Sequence, residues 1–228
     1  QSFMWLTNSS VGRKVVMSVS GLFLVLFLTF HMSMNLVAVF SEDAYNMVCE
    51  FLGANWYAIA GTLVLAAGFV VHIVYAFWLT MQNRKARGNE SYAVFEKPKN
   101  VEWASQNMLV LGIIVALFFV LHLAQFWFKM QFVELSGLES INPTPQDGAA
   151  LISQTFANPL FAVLYLVWFV AIWFHLTHGF WSALQTLGWS NKIWFERWKC
   201  ISNIFSTVIF LGFALVVVVF YVKYGLLG

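Results

Sequence analysis

The sequence predicts an all-α integral membrane protein with five transmembrane helices, and three observations predict it. Of 228 residues, 61% are hydrophobic and only 10% charged, where a water-soluble domain carries about a quarter charged residues. Five apolar stretches each exceed the twenty or so residues that cross about 30 Å of hydrocarbon. Lys and Arg gather in alternate connections between them. Barrel strands would be far shorter and would alternate polar with apolar residues.

The elements follow in order along a single domain, 1–228, with no internal repeat and no low-complexity tract. The first stretch, about 15–40, outruns the apolar core of a cleavable export signal, contains His31 and lacks a small-residue cleavage site. It is expected to stay in the protein. The others run from about 56 to 81, 101 to 130, 159 to 184 and 201 to 224, with the excess length taken up by tilt or protruding ends. Four of the five form the expected bundle around the histidines described below, the first to the fourth in sequence.

Ten of the twelve basic residues fall on one side of this arrangement: Arg13, Lys14, Arg84, Lys85, Arg87, Lys97, Lys99, Lys192, Arg197 and Lys199. Only Lys129 and Lys223 fall on the other. The positive-inside rule then makes the N-terminus and the 82–100 and 185–199 loops cytoplasmic and puts the C-terminus outside. The outward connections are acidic, with Glu42, Asp43, Glu50, Glu134, Glu139 and Asp147. A net charge of +2 therefore hides a basic inner face suited to anionic lipid or an acidic protein surface; no nucleic-acid-binding module is present. Cys49 and Cys200 precede the second and fifth stretches, on opposite faces, and cannot pair within one chain. With no CxxCH sequence, covalent haem attachment is excluded.

Each of the first four stretches carries a histidine, and depth sorts them into two pairs. At the helical rise His31 lies about 25 Å from Lys14 and His122 about 30 Å from the start of its stretch, whereas His72 and His175 both lie about 15 Å from their inner ends. His31 and His122 form an outer pair, His72 and His175 an inner one. His178, about 5 Å nearer the cytoplasm, matches His72 less well and is placed near the same site. Paired neutral imidazoles can fill both axial positions of a haem iron and leave none open for oxygen chemistry, so two b haems about 10 to 15 Å apart along the membrane normal are expected. Zinc or copper is disfavoured because neither Cys nor carboxylate stands at ligand spacing. The competing reading is four interhelical histidines satisfied by Ser, Thr or backbone, although ionisable groups inside a membrane are functional by default.

Ser18, Ser20, Gly21, Gly68 and Gly179 lie within a few turns of the histidines, where small side chains leave room for a flat cofactor or for close helix packing. Arg13, Lys14, Arg84 and Lys85 are candidate partners for haem propionates. Trp56, Trp127, Trp181, Trp194 and Trp198 sit near stretch ends as an interfacial belt. A quinone site needs a proton-relaying or hydrogen-bonding group, for which Asn35, Asn46, Glu50, Gln125 and Lys129 are candidates near the outer pair, Glu50 first among them.

Four passages carry a family likeness: SGLFLVLFLTFHMSMNL (Ser20 to Leu36), GFVVHIVYAFWL (Gly68 to Leu79), FFVLHLAQFW (Phe118 to Trp127) and FHLTHGFWSALQTLG (Phe174 to Gly188). In order, spacing and crossing number the chain resembles the cytochrome b membrane anchor of succinate:quinone oxidoreductases, in the single-anchor, five-helix, dihaem class that includes menaquinone-linked fumarate reductases. The resemblance implies His31 with His122 as outer ligands and His72 with His175 as inner ligands. It also implies a flavoprotein subunit with FAD and an iron–sulfur subunit on the cytoplasmic face, menaquinone as electron partner, a bacterial cytoplasmic (inner) membrane and assembly as a dimer of whole complexes. The chain itself would not act on the dicarboxylate. No acidic residue lies in the middle of any stretch to carry a compensating proton inward, which favours succinate oxidation over fumarate reduction. The rivals are the cytochrome b subunit of a membrane hydrogenase or formate dehydrogenase, and a non-haem transporter or structural anchor.

Overall fold

Apolar stretches with no interior proline satisfy their own backbone by forming helices, the one open-chain solution in hydrocarbon. The computed structural model describes residues 6, 8–87, 103–138 and 143–228. Lys97, Lys99, Glu139 and the start of the third stretch at 101–102 lie outside the described residues, as does the side chain of Arg87. Among the described residues the fold is all-α, with five helices long and apolar enough to span a membrane: Ser10–Phe40, Trp56–Lys85, Met108–Ser136, Pro159–Thr186 and Trp194–Leu226. At 28 to 33 residues they measure about 42 to 50 Å, so their ends reach beyond the hydrocarbon. The chain is thus a multi-pass membrane protein.

Local chemistry sets the boundaries. Helix α1 (Ser10–Phe40) starts five residues before the predicted 15, because the Ser9 hydroxyl accepts from Gly12 N at 2.9 Å and caps it. Ser41 closes α1 and caps α2 (Glu42–Phe51), accepting from Ala44 N at 3.1 Å. Helix α3 (Trp56–Arg87) is the second span. After the short α4 (Trp103–Gln106), the third span runs as α5 (Met108–His122), a π-helical stretch (Leu123–Phe132) and α6 (Val133–Ser136). It passes the predicted end at 130 and stops at Gly137, whose φ of 65° is the left-handed conformation that favours glycine after a helix. Helix α7 (Gly148–Phe156) is capped by Asp147, and α8 (Pro159–Thr186) by Asn158 with proline in its first turn. Helix α9 (Trp194–Phe220), extended by a π-helical turn (Tyr221–Leu226), is the fifth span. The predicted start at 201 missed its first turns because Glu196, Arg197 and Lys199 interrupt the apolar run.

The first four spans follow one another round the bundle, each packing on its sequence neighbours and α8 closing back on α1. The second and third spans touch only sparsely, and the central window of the second buries nothing. The fifth span is no peripheral addition: it packs extensively on α8 and α1. Gly212 allows this, because a Cβ there would collide with Met32 Sδ. Buried Ser202 helps, donating to Leu176 O at 3.1 Å and Thr177 O at 3.0 Å, the small polar contact that joins membrane helices. The main core, including Met32, Tyr165, Trp168, Phe169, Phe213 and Phe220, lies among the first, fourth and fifth spans.

Two connections at one end of the bundle hold the short helices α2 and α7, which pack together. Asn46 donates to Asp147 Oδ1 at 2.9 Å and accepts from Ala149 N at 2.9 Å. Lys223 pairs with Glu42 at 2.6 Å, and Tyr224 donates to the same oxygen at 2.6 Å, tying the end of the fifth span to α2. The two cysteines are free, Cys49 buried in α2 and Cys200 exposed in α9.

Candidate functional site: two histidine pairs across the bundle

Diagonal spans supply each pair. From the first and third spans, the rings of His31 and His122 lie 5.7 Å apart, centre to centre, at 84°. From the second and fourth, those of His72 and His175 lie 6.3 Å apart at 75°. The pairs occupy different levels: Gly112, beside His175, precedes His122 by ten residues on one helix, about 15 Å of rise. His178 does not join the His72–His175 contact; its ring packs edge-on to Trp181 at 4.9 Å.

Each pair has its own walls. Phe27 stacks on His31 at 5.3 Å and Phe213 of the fifth span flanks it at 5.9 Å. Phe126, Tyr165 and Trp168 surround His122. Around the inner pair two glycines border the rings, Gly21 tightly and Gly112 at ordinary contact distance. A Cβ on Gly21 would lie 3.2 Å from His72 Cε1, and one on Gly112 would lie 3.7 Å from His175 Cε1. Gly68, by contrast, makes room for Phe23 rather than for a histidine. Ser20 Oγ lies 3.2 Å from His72 Nδ1, and Tyr165 OH lies 3.5 Å from His122 Nδ1.

The donor set fits a bis-imidazole haem. The four rings meet across the bundle in twos, with centres 5.7 and 6.3 Å apart, within the ordinary range of edge-on ring packing, and imidazole nitrogen is the donor a b haem would take. His175 Nδ1 and Trp181 Nε1 are buried with no hydrogen-bond partner. Among the described residues no group of three or more His, Cys, Asp or Glu is placed to hold a metal ion by itself.

The remaining candidates fall into three places. Gln125 is buried behind His122, where its Oε1 accepts from Tyr165 OH at 2.8 Å. Asn35 donates to His31 O at 2.8 Å and accepts from Tyr45 OH at 3.2 Å, joining α1 to α2. Glu50 is exposed on α2 and, with Asp43, Asn46 and Asp147, lines a shallow cleft at that end; Lys129 is exposed on the π-helical stretch. At the opposite end the Arg13 guanidinium lies over the Trp78 ring at 5.0 Å and donates to Ser9 O at 3.2 Å. Lys14, Arg84 and Lys85 are exposed there. Burial pushes the Cys49 thiol up to about 11, so it stays protonated and unreactive at neutral pH.

Tyr165 was not singled out in the sequence, where it reads as one aromatic in an apolar run. The available signal was its position ten residues before His175, about 15 Å along the helix and therefore level with the outer pair. Phe27 and Phe213 offered no such signal.

Fold and site define a class: an all-α, five-span membrane protein that brings two histidine pairs together inside its bundle. No family model, no curated protein and no solved structure matches the chain.

Proposed function

We propose that this chain is the membrane anchor and electron-transfer subunit of a succinate:menaquinone oxidoreductase, a dihaem cytochrome b working between cytoplasmic flavin and iron–sulfur subunits and a quinone. The carrying observation is the two cross-bundle histidine pairs, with ring centres 5.7 and 6.3 Å apart. A haem bound between such rings supplies one-electron transfer with no open coordination position.

The chain's own groups account for the rest. His31 with His122 and His72 with His175 would hold the two haems through their ring nitrogens, and aromatic side chains line the outer pair. The inner pair lies toward the end that carries Arg13, Lys14, Arg84 and Lys85, the cytoplasmic end by the positive-inside rule. Those cations offer charge to propionates or to a docked acidic subunit. The outer pair lies toward the acidic end, where converting a quinone to a quinol takes up two electrons and two protons. Asn35 and Gln125 are committed to hydrogen bonds within the bundle. Glu50, exposed in the cleft that Asp43 and Asp147 also line, is the carboxylate we assign to proton relay. Electron flow toward a positive outer face runs with the field, worth up to about 2.3 kcal/mol per 100 mV for a full crossing. This supports succinate oxidation as the working direction.

Reduced-minus-oxidised spectra and haem content of the purified full chain test the reading. Two b-type centres are expected in the native protein. His31→Ala or His122→Ala should remove one, His72→Ala or His175→Ala the other, and His178→Ala neither. Absence of any b-type band would leave a non-haem anchor. Absence of covalent flavin from the native complex would move the assignment to a hydrogenase or formate dehydrogenase.

A further inference from the structure

Two hydroxyl groups stand behind the histidines, and each has its single proton engaged elsewhere. Ser20 Oγ donates to Met17 O at 3.0 Å and lies 3.2 Å from His72 Nδ1, and the same Met17 carbonyl also accepts from the His72 ring. Tyr165 OH donates to Gln125 Oε1 at 2.8 Å and lies 3.5 Å from His122 Nδ1. A hydroxyl whose proton is so engaged can only accept toward the ring. The proton between them then belongs to Nδ1, and Nε2 keeps its lone pair bare, the tautomer a metal-binding histidine needs.

We propose that Ser20, and Tyr165 held by Gln125, are positioning residues that fix His72 and His122 as Nδ1–H tautomers and polarise those two rings unequally. This rests on the haem reading above and adds to it the groups that tune each site. The inequality follows from chemistry and distance. A serine hydroxyl is a better acceptor than a phenol, whose oxygen lone pair is shared with the ring. Ser20 is also closer, at 3.2 against 3.5 Å. His72 is therefore the more strongly polarised of the two rings that a hydroxyl backs. Gln125 has the further task of keeping the phenol proton away from His122, since a phenol that donated to Nδ1 would place the ring proton on Nε2.

Redox titration of the haem-loaded full chain, with the two b-type centres followed separately by optical and electron paramagnetic resonance spectra, tests this. Ser20→Ala should raise the midpoint potential of the centre that His72→Ala abolishes and leave the other unmoved. Tyr165→Phe should raise the other centre alone, by less. Gln125→Leu should shift or empty that same centre, and Gln125→Glu, which keeps an acceptor, should restore it. Potentials and spectra unchanged in both Ser20→Ala and Tyr165→Phe, with two centres present in the parent, would overturn the inference and leave the haem reading standing. A parent protein with no b-type centre would overturn both.

Discussion

Gly21 and Gly112 stand against the inner histidines at different distances, and the difference has a measurable result. A Cβ at Gly21 approaches His72 Cε1 to 3.2 Å and Nδ1 to 3.6 Å. Ser20 holds that ring in place, so it has little freedom to withdraw. Valine there adds two further carbons, and if the proposed haems are bound, Gly21→Val is expected to lose or weaken one of the two b-type centres, read as the haem-to-protein ratio. At Gly112 the corresponding gap is 3.7 Å, an ordinary contact, and Gly112→Ala should keep both. Sequence alone placed glycine and serine near the histidines but could not say which faced a ring. Gly68 and Gly21 look alike in the chain, yet only Gly21 borders a histidine.

At the scale of elements, the third span departs furthest from what its sequence suggests. Its apolar run reads as one regular helix, and nothing in the pattern announces the π-helical stretch from Leu123 to Phe132. Such wide turns are rare and gather at functional positions. Here the stretch begins directly after His122 and holds two buried glutamines on separate tasks. Gln125 meets Tyr165, whereas Gln131 Oε1 accepts from Thr62 at 2.8 Å and Trp127 at 2.9 Å, and Gln131 Nε2 donates to Gly53 O at 3.1 Å. The second and third spans touch so sparsely elsewhere that this knot is a principal tie between them. Gln131→Leu strands three polar groups and should cost about 1–2 kcal/mol, as side-chain hydrogen bonds between membrane helices do at their strongest. Unfolding in detergent measures it; an unchanged transition would show that the second span is held by other contacts.

At the scale of the whole molecule, one end is bound together and the other presents charge. Glu42 is held below the usual carboxylate range by hydrogen bonds from Lys223 and then Tyr224. A carboxylate with a lowered folded-state pKa contributes stability above its unfolded pKa and loses it as pH falls through the lowered value. Thermal stability should therefore fall more on acidification in the native chain than in Glu42→Gln, with the two converging at the acid end. Cysteine accessibility checks the orientation. A membrane-impermeant maleimide should label exposed Cys200 in inverted vesicles and not in right-side-out ones. Buried Cys49, its thiol pushed up to about 11, should resist in both until the protein unfolds. Labelling of Cys200 only from outside would reverse the topology.

The sequence by itself determined the helical class, the five crossings and the two levels of histidine, because hydrocarbon thickness and a fixed rise per residue turn position in the chain into depth. Its ends were off by several residues where Ser9, Gly137 and the first turns of α9 set limits that hydropathy does not register. Tertiary structure alone decided what depth cannot specify, the direction in which each side chain points round its helix. That direction turned His31 toward His122 and His72 toward His175, set Ser20 and Tyr165 behind two of those rings, and wedged Phe213 of the fifth span beside His31. Residues at one depth can face lipid or a partner, and only the packing of neighbouring helices chooses between them.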